Sequence, residues 1–213
     1  MPPSTAEIWS FVHDERGRLA DDLAHLTDDQ WATPSLCAGW SVHDVLAHLV
    51  DTAHTGKLAF VGSMIASGGN FDRANERGVK RHQGATGAHT LEAFRAARTL
   101  TKSPPASPST RLVEAIAHGE DIRRPLGISH EYEAWAIHDA IDSLVRTPAS
   151  FGGCRELATR VRLVTNGGGS SWGEGPEVTA SALDLLLTAT GREVGEGRLS
   201  GPGVALVSEH LAR

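Results

Sequence analysis

The sequence predicts a mainly α protein, an antiparallel helical bundle followed by a small α/β domain. Three observations predict it. Apolar residues recur at helical spacing, behind capping residues, through about the first two-thirds of the 213-residue chain. A Pro/Ser stretch from Lys102 to Thr110 interrupts these helices and has no helical option of its own. Beyond Thr147 the composition shifts, and an alternating segment is followed by a glycine-rich loop. These signals place a helical bundle over 1–150 and the α/β domain over 155–213.

The elements follow in order. Ser4-Thr5-Ala6-Glu7 is a capping-box signature, with Ile8, Phe11, Val12, Leu19 and Leu23 behind it, so a helix is expected over about 5–25. Thr27-Asp28-Asp29-Gln30 is a second box opening a short turn that ends near Trp31. Pro34 and Gly39 mark a loop over 33–39. Ser41 then caps a helix expected to reach about Ala66, with Val42, Val45, Leu46, Leu49 and Val50 on its apolar stripe. Gly68-Gly69-Asn70 breaks it, Asp72 caps a helix to about His82, and Leu91–Leu100 is a further helical piece. Thr110 caps the next helix, which must stop before Pro125. Glu131–Val145 forms another, with Trp135, Ile137, Ile141 and Leu144 on one stripe. The long segments amount to four principal helices, about 5–25, 42–66, 88–100 or its neighbour, and 130–146, and the helix with Glu114 competes for one place.

In the α/β part, Leu157–Val164 alternates as a half-buried strand, Asn166–Gly175 reads as a mobile hairpin connection, and Glu177-Val178-Thr179 is a partner strand. Ser181 caps an apolar helix over Ala182–Thr190 that Gly191 closes, and Pro202 opens a last helix to Leu211.

Bulk composition narrows the function classes. With 40% apolar and 22% charged residues, the chain has the make-up of a soluble globular protein. Its net charge of −6 and its scattered cations argue against nucleic acid as a partner. No apolar run approaches the roughly 20 residues of a membrane helix. Met1-Pro2-Pro3-Ser4 lacks the basic and apolar regions of a signal peptide, so the expected location is cytoplasmic. Cys37 and Cys154, the only cysteines, make neither a disulfide framework nor a CxxC zinc site and are expected as free thiols.

The chemistry concentrates in two helices. Glu114 and His118, four apart, share one helix face about 40° apart, with Asp121 beside them. A carboxylate and an imidazole so placed can hold one metal ion, and His48 from another helix would complete a three-ligand site with open positions. A ligating histidine wants its second nitrogen held by a carboxylate or carbonyl. Asp44 and Asp51 are candidates for His48, and Asp121 for His118. Ordinary solvated polar faces would produce the same spacing. Cys37 reads as a structural thiol rather than a nucleophile, because no cation or helix N-terminus is assured beside it. The glycine-rich loop lacks the GK[ST] ending and following helix of a phosphate loop. Trp31 and Trp40, flanking the 33–39 loop, read as core anchors.

Four segments resemble a known family. Trp31-Ala-Thr-Pro-Ser-Leu-Cys-Ala-Gly-Trp-Ser-Val-His-Asp-Val-Leu-Ala-His48 and Glu114-Ala-Ile-Ala-His-Gly-Glu-Asp-Ile-Arg-Arg-Pro-Leu-Gly127 are the specific ones. Phe71-Asp-Arg-Ala-Asn75 and Leu185-Leu-Leu-Thr-Ala-Thr-Gly-Arg192 are weaker and fall in the right order. Together they resemble the mycothiol-dependent maleylpyruvate isomerase family of the DinB-like metalloenzyme superfamily. The resemblance implies a DinB-like four-helix bundle followed by a small α/β domain. It implies a divalent metal, zinc or else nickel or another ion, on His48, Glu114 and His118, and mycothiol as thiol cosubstrate. Arg192 is the position matching an arginine that supports activity in the isomerase. The implied activity is isomerisation of maleylpyruvate or a similar cis-unsaturated small molecule. A mycothiol S-transferase acting on an electrophile, and a non-catalytic metal-containing ligand-binding protein, are the alternatives. A homodimer is compatible with the resemblance.

Overall fold

The computed structural model describes residues 2–211, and their contacts divide the chain into two compact units, Pro3–Glu131 and Tyr132 onward. The first unit is helical. Helix α1 (Thr5–Asp22) starts on the expected capping box, in which Ser4 Oγ accepts from the Glu7 N–H while the Glu7 carboxylate accepts from the Ser4 N–H. The short α2 (Asp28–Trp31) repeats the device with Thr27 and Gln30.

Helix α3 (Val42–His54) begins on a third box, Ser41 with Asp44. The single helix expected over 42–66 is in fact two. Thr55 is extended and Gly56 caps α4 (Lys57–Ala66). The Thr52 and Thr55 hydroxyls turn back onto the carbonyls of Leu49 and Asp51, a local competition that favours ending a helix. The buried stripe also ends there: no residue of α4 is buried, and Leu58 is 91% exposed.

Helix α5 (Phe71–His82) is capped by Asn70, two residues before the expected Asp72, through an Arg73 N–H bond to Asn70 Oδ1. Helix α6 (Gly87–Ala96) is capped by Thr86, and α7 (Thr110–Arg123) follows the Pro/Ser stretch. Its N-cap is Ser109, not Thr110, and it makes no side-chain cap bond. Helix α3 packs against α5, α6 and α7, and α1 against α6 and α7. Leu19, Leu23, Trp31, Val45, Leu46, Leu49, Phe94 and Ile122 form the shared core. Buried ion pairs join α1 to α7: Arg123, fully buried, lies 2.7 Å from Asp22 and 3.5 Å from Glu15.

The second unit builds a three-stranded sheet from β1 (Arg162–Thr165), β2 (Ser171–Gly173) and β3 (Glu177–Ala180), in the order β2-β1-β3. β1 pairs antiparallel with β2 and parallel with β3. The expected strand over 157–164 is shorter, because Arg155–Ala158 forms a helical turn, α9. The glycine-rich connection itself contains β2, so it is a hairpin whose second arm is a strand. After β2 the chain crosses beneath β1 in three residues. Gly173 and Gly175 have φ of +82° and +112°, and a Cβ on either would fall 2.5–2.6 Å from the Val161 or Arg160 carbonyl oxygen. Only glycine meets both demands.

Helix α8 (Ala134–Leu144), expected among the bundle helices, packs against α10 (Ala182–Ala189) and belongs to the unit with the sheet. Trp172 of β2 explains the attachment: its Nε1 donates to Asp142 at 2.7 Å, and its ring meets His138 edge-on. The division therefore falls at Glu131, ahead of the boundary inferred from composition. Ser181 caps α10 and Gly191 (φ +84°) follows it, as expected, and α11 (Val204–Leu211) ends the described chain. No helix among the described residues is long and apolar enough to cross a membrane.

Candidate metal centre

Three segments of the first unit build the centre. Helix α3 supplies His48, which is 6% exposed although its ring is polar. Helix α7 supplies His118 and Asp121. The loop before α3 supplies Cys37 and Trp40, and its shape is fixed locally. Ser35 and Trp40 pair across it, the Trp40 N–H donates to the Cys37 carbonyl, and Gly39 takes φ +80° at the bend. The Leu36 N–H then donates to the Asp121 carbonyl at 3.2 Å, fastening the loop to α7.

The imidazoles of His48 and His118 meet edge-to-face with ring centroids 4.8 Å apart, and Trp40 stands 5.2 Å from His48 on the loop side. Two imidazoles bound to one ion at metal–nitrogen distances of about 2.0–2.1 Å, in tetrahedral geometry, would have centroids about 5 Å apart. The centroid separation of the histidine pair matches that value. The expected holder of His118 is in place: its Nδ1 lies 2.8 Å from Oδ2 of the fully buried Asp121. The expected holders of His48 are engaged elsewhere. The Asp44 carboxylate accepts from the Ser41 N–H and hydroxyl and from Gln83, while Asp51 pairs with Arg81 and His82.

Glu114 is not gathered with the two histidines. Its carboxylate lies 2.9 Å from the Arg111 guanidinium, both side chains nearly buried, and it lines a small cavity with Glu15, Arg16 and Phe94. Burial pulls the Arg16 guanidinium below its ordinary pKa, with Glu114 opposing and Arg111 reinforcing that shift. Arg111 is i−3 to Glu114 on the same helix, an attraction that competes with any ion for the carboxylate.

Instead, the ligand-type atoms of Cys37, His118 and Asp121 lie within 4.8 Å of one another, the one such group of three among the described residues. Cys37 Sγ is 3.0 Å from Asp121 Oδ2 and 3.8 Å from His118 Nδ1. Its nearness to α7 carries no local sequence signal, since 84 positions separate Cys37 from Asp121. Cys154, in the other unit, is buried, and burial pushes its thiol up to about 12. Arg192, also in the second unit, follows α10 and donates from its guanidinium to the Thr190 carbonyl at 2.6 Å.

Residues 12–103 match the family model for the mycothiol maleylpyruvate isomerase N-terminal domain. Two solved structures resemble the fold over 94% of this chain and 93% of theirs, each at 12% identity. One is a crystal structure of the mycothiol-dependent maleylpyruvate isomerase, with a TM-score of 0.65. The other is a histidine-to-alanine mutant of the mycothiol-dependent maleylpyruvate isomerase, at 0.62. No curated protein matches the chain. Over residues 12–103 the chain is thus similar to the mycothiol maleylpyruvate isomerase N-terminal domain, and it shares the fold of the two isomerase structures.

Proposed function

We propose that this protein is a divalent-metal-dependent enzyme that uses mycothiol, a low-molecular-weight thiol, to isomerise maleylpyruvate or a similar cis-unsaturated small molecule. The observation that carries the metal reading is the pair of imidazoles from α3 and α7, 4.8 Å apart at their centroids. His48 and His118 would hold the ion, zinc before nickel, with Glu114 as third ligand once it leaves Arg111. An ion with open positions coordinates a thiol as thiolate, which supplies the nucleophile at neutral pH.

The chain's own residues do the rest. Asp121 keeps the His118 ring oriented, and Trp40 shields His48 on the loop side. The net reaction balances without a redox partner. The thiol sulfur adds to one alkene carbon and its proton to the other, the new single bond rotates, and elimination returns both. Arg192 is proposed to pair with a substrate carboxylate, for which a guanidinium offers two parallel donors.

Metal analysis of the purified protein tests the centre. Wild type should carry near-stoichiometric divalent metal, and a His48→Ala/His118→Ala variant of unchanged fold should carry none. Equal metal content in the two would sink the site.

A further inference from the structure

We propose that a cleft between α2, α3 and α6 binds a small zwitterion of the amino-acid class, with its carboxylate on N–H groups and its ammonium on Asp28. The cleft has a volume of about 400 Å³, and its lining includes Asp28, Trp31, His43, Thr86 and Gly87. It shares no residue with the metal centre and does not depend on it.

One side of the cleft carries unused donors. Trp31 is only 6% exposed, and its ring is packed into the core of the first unit. Its indole N–H can only donate, yet no group of the protein accepts from it, and it opens where the ring lines the cleft. A buried tryptophan usually finds a partner for this hydrogen. Gly87 lies against the same ring, where a Cβ would come 2.2–2.4 Å from Cγ, Cδ2 and Cε2. The missing side chain lets the start of α6 reach the indole. Helix α6 is ten residues long, and its cap Thr86 satisfies only the His89 N–H. The Gly87 and Ala88 N–H groups keep no partner, as the first donors of a helix do. Converging N–H groups at the positive end of a helix suit a carboxylate.

The rest of the lining decides what carries that carboxylate. No lysine or arginine is present. His43 is tied through Nε2 to Thr90 Oγ1 at 2.7 Å. Burial holds its imidazole below the ordinary pKa, so it adds no charge at neutral pH. Asp28, exposed on the first turn of α2, is the one charged side chain of the cleft. A simple anion would meet the donors and the repulsion of Asp28 together, and dianionic phosphate would meet twice the repulsion. A simple cation would pair with Asp28 and leave the donors idle. A zwitterion answers both and enters without net charge.

Full-length protein with ¹⁵N-labelled tryptophan reports the site through its indole N–H signals. The Trp31 signal is the one missing from Trp31→Phe. L-alanine should move that signal saturably, with a Kd of about 1 mM or below. Acetate, which lacks the ammonium, should bind several-fold more weakly, and inorganic phosphate should not bind. Asp28→Asn should weaken L-alanine several-fold, the scale of an exposed ion pair, and strengthen acetate until the two are alike.

A Trp31 signal that does not move saturably up to about 20 mM L-alanine overturns the proposal. So does phosphate binding as tightly as L-alanine, which would mark a plain anion hole. An unchanged L-alanine affinity in Asp28→Asn overturns it too, because the ammonium would then have no part. If Trp31→Phe does not fold, single replacement of the other four tryptophans identifies the signal by elimination.

Discussion

Gly87 opens α6 directly against the indole of Trp31, and its replacement by alanine sets two general effects against each other. Alanine is the better helix former by up to about 1 kcal/mol, and less at a first helical position. By propensity alone, Gly87→Ala stabilises. The packing says otherwise. A Cβ at 87 would lie 2.2–2.4 Å from three atoms of the Trp31 ring, where ordinary contact needs 3.4–4 Å. More than 1 Å must therefore be found. The ring is a poor place to find it, because Trp31 is 6% exposed and belongs to the core with Leu19, Val42 and Leu91. Overpacking of this kind costs about 1–3 kcal/mol. The net expectation is a loss of about 1–2 kcal/mol, which in a chain of this size lowers the melting temperature by roughly 2–4 °C per kcal/mol. Urea unfolding followed by circular dichroism should show a lower midpoint with an unchanged slope. In a Trp31→Leu background the same substitution should lose most of its penalty, giving a coupling of at least about 1 kcal/mol. A Gly87→Ala protein as stable as wild type, or no coupling with Trp31→Leu, would refute the packing argument.

Two further outcomes are expected. Burial holds the His43 and His13 imidazoles below the usual 6.5, with Arg16 adding to the shift at His13. As pH falls through about 6.5 the unfolded chain therefore binds these protons first, and stability drops until the folded-state values are passed. The urea midpoint should fall between pH 7.5 and 5.5, and by less in a His13→Gln/His43→Gln variant; an equal fall in both proteins would exclude these two groups as its source. For Arg192, replacement by lysine should cut kcat/KM on maleylpyruvate far more than on an uncharged electrophile, and comparable losses on both would remove it from substrate recognition.

What was legible in the sequence follows the range of the interactions. Ser4/Glu7, Thr27/Gln30 and Ser181/Asp184 act within three residues, and all three caps stand where the sequence places them. The i,i+3 link from His118 to Asp121 is legible for the same reason. The break at Thr55–Gly56 is not, because the run of apolar residues continues into α4 while their burial does not. Ser171–Gly173 is too short and too rich in small residues to show as a strand; its pairing with Arg162–Val164 fixes it. Helical spacing puts Glu114 and His118 on one face, but which neighbour each engages depends on Arg111 and on the loop carrying Cys37.

The bare helix α4 carries a consequence of its own. Ten residues with none buried draw little on tertiary packing beyond their contact with α5, and isolated helices shorter than about 12–15 residues are marginal in water. Its amide hydrogens should therefore exchange through local opening, without waiting for the core around Leu46 and Phe94 to unfold. The segment between Gly56 and Gly69 is thus the place where a protease could cut while the rest of the protein stays native.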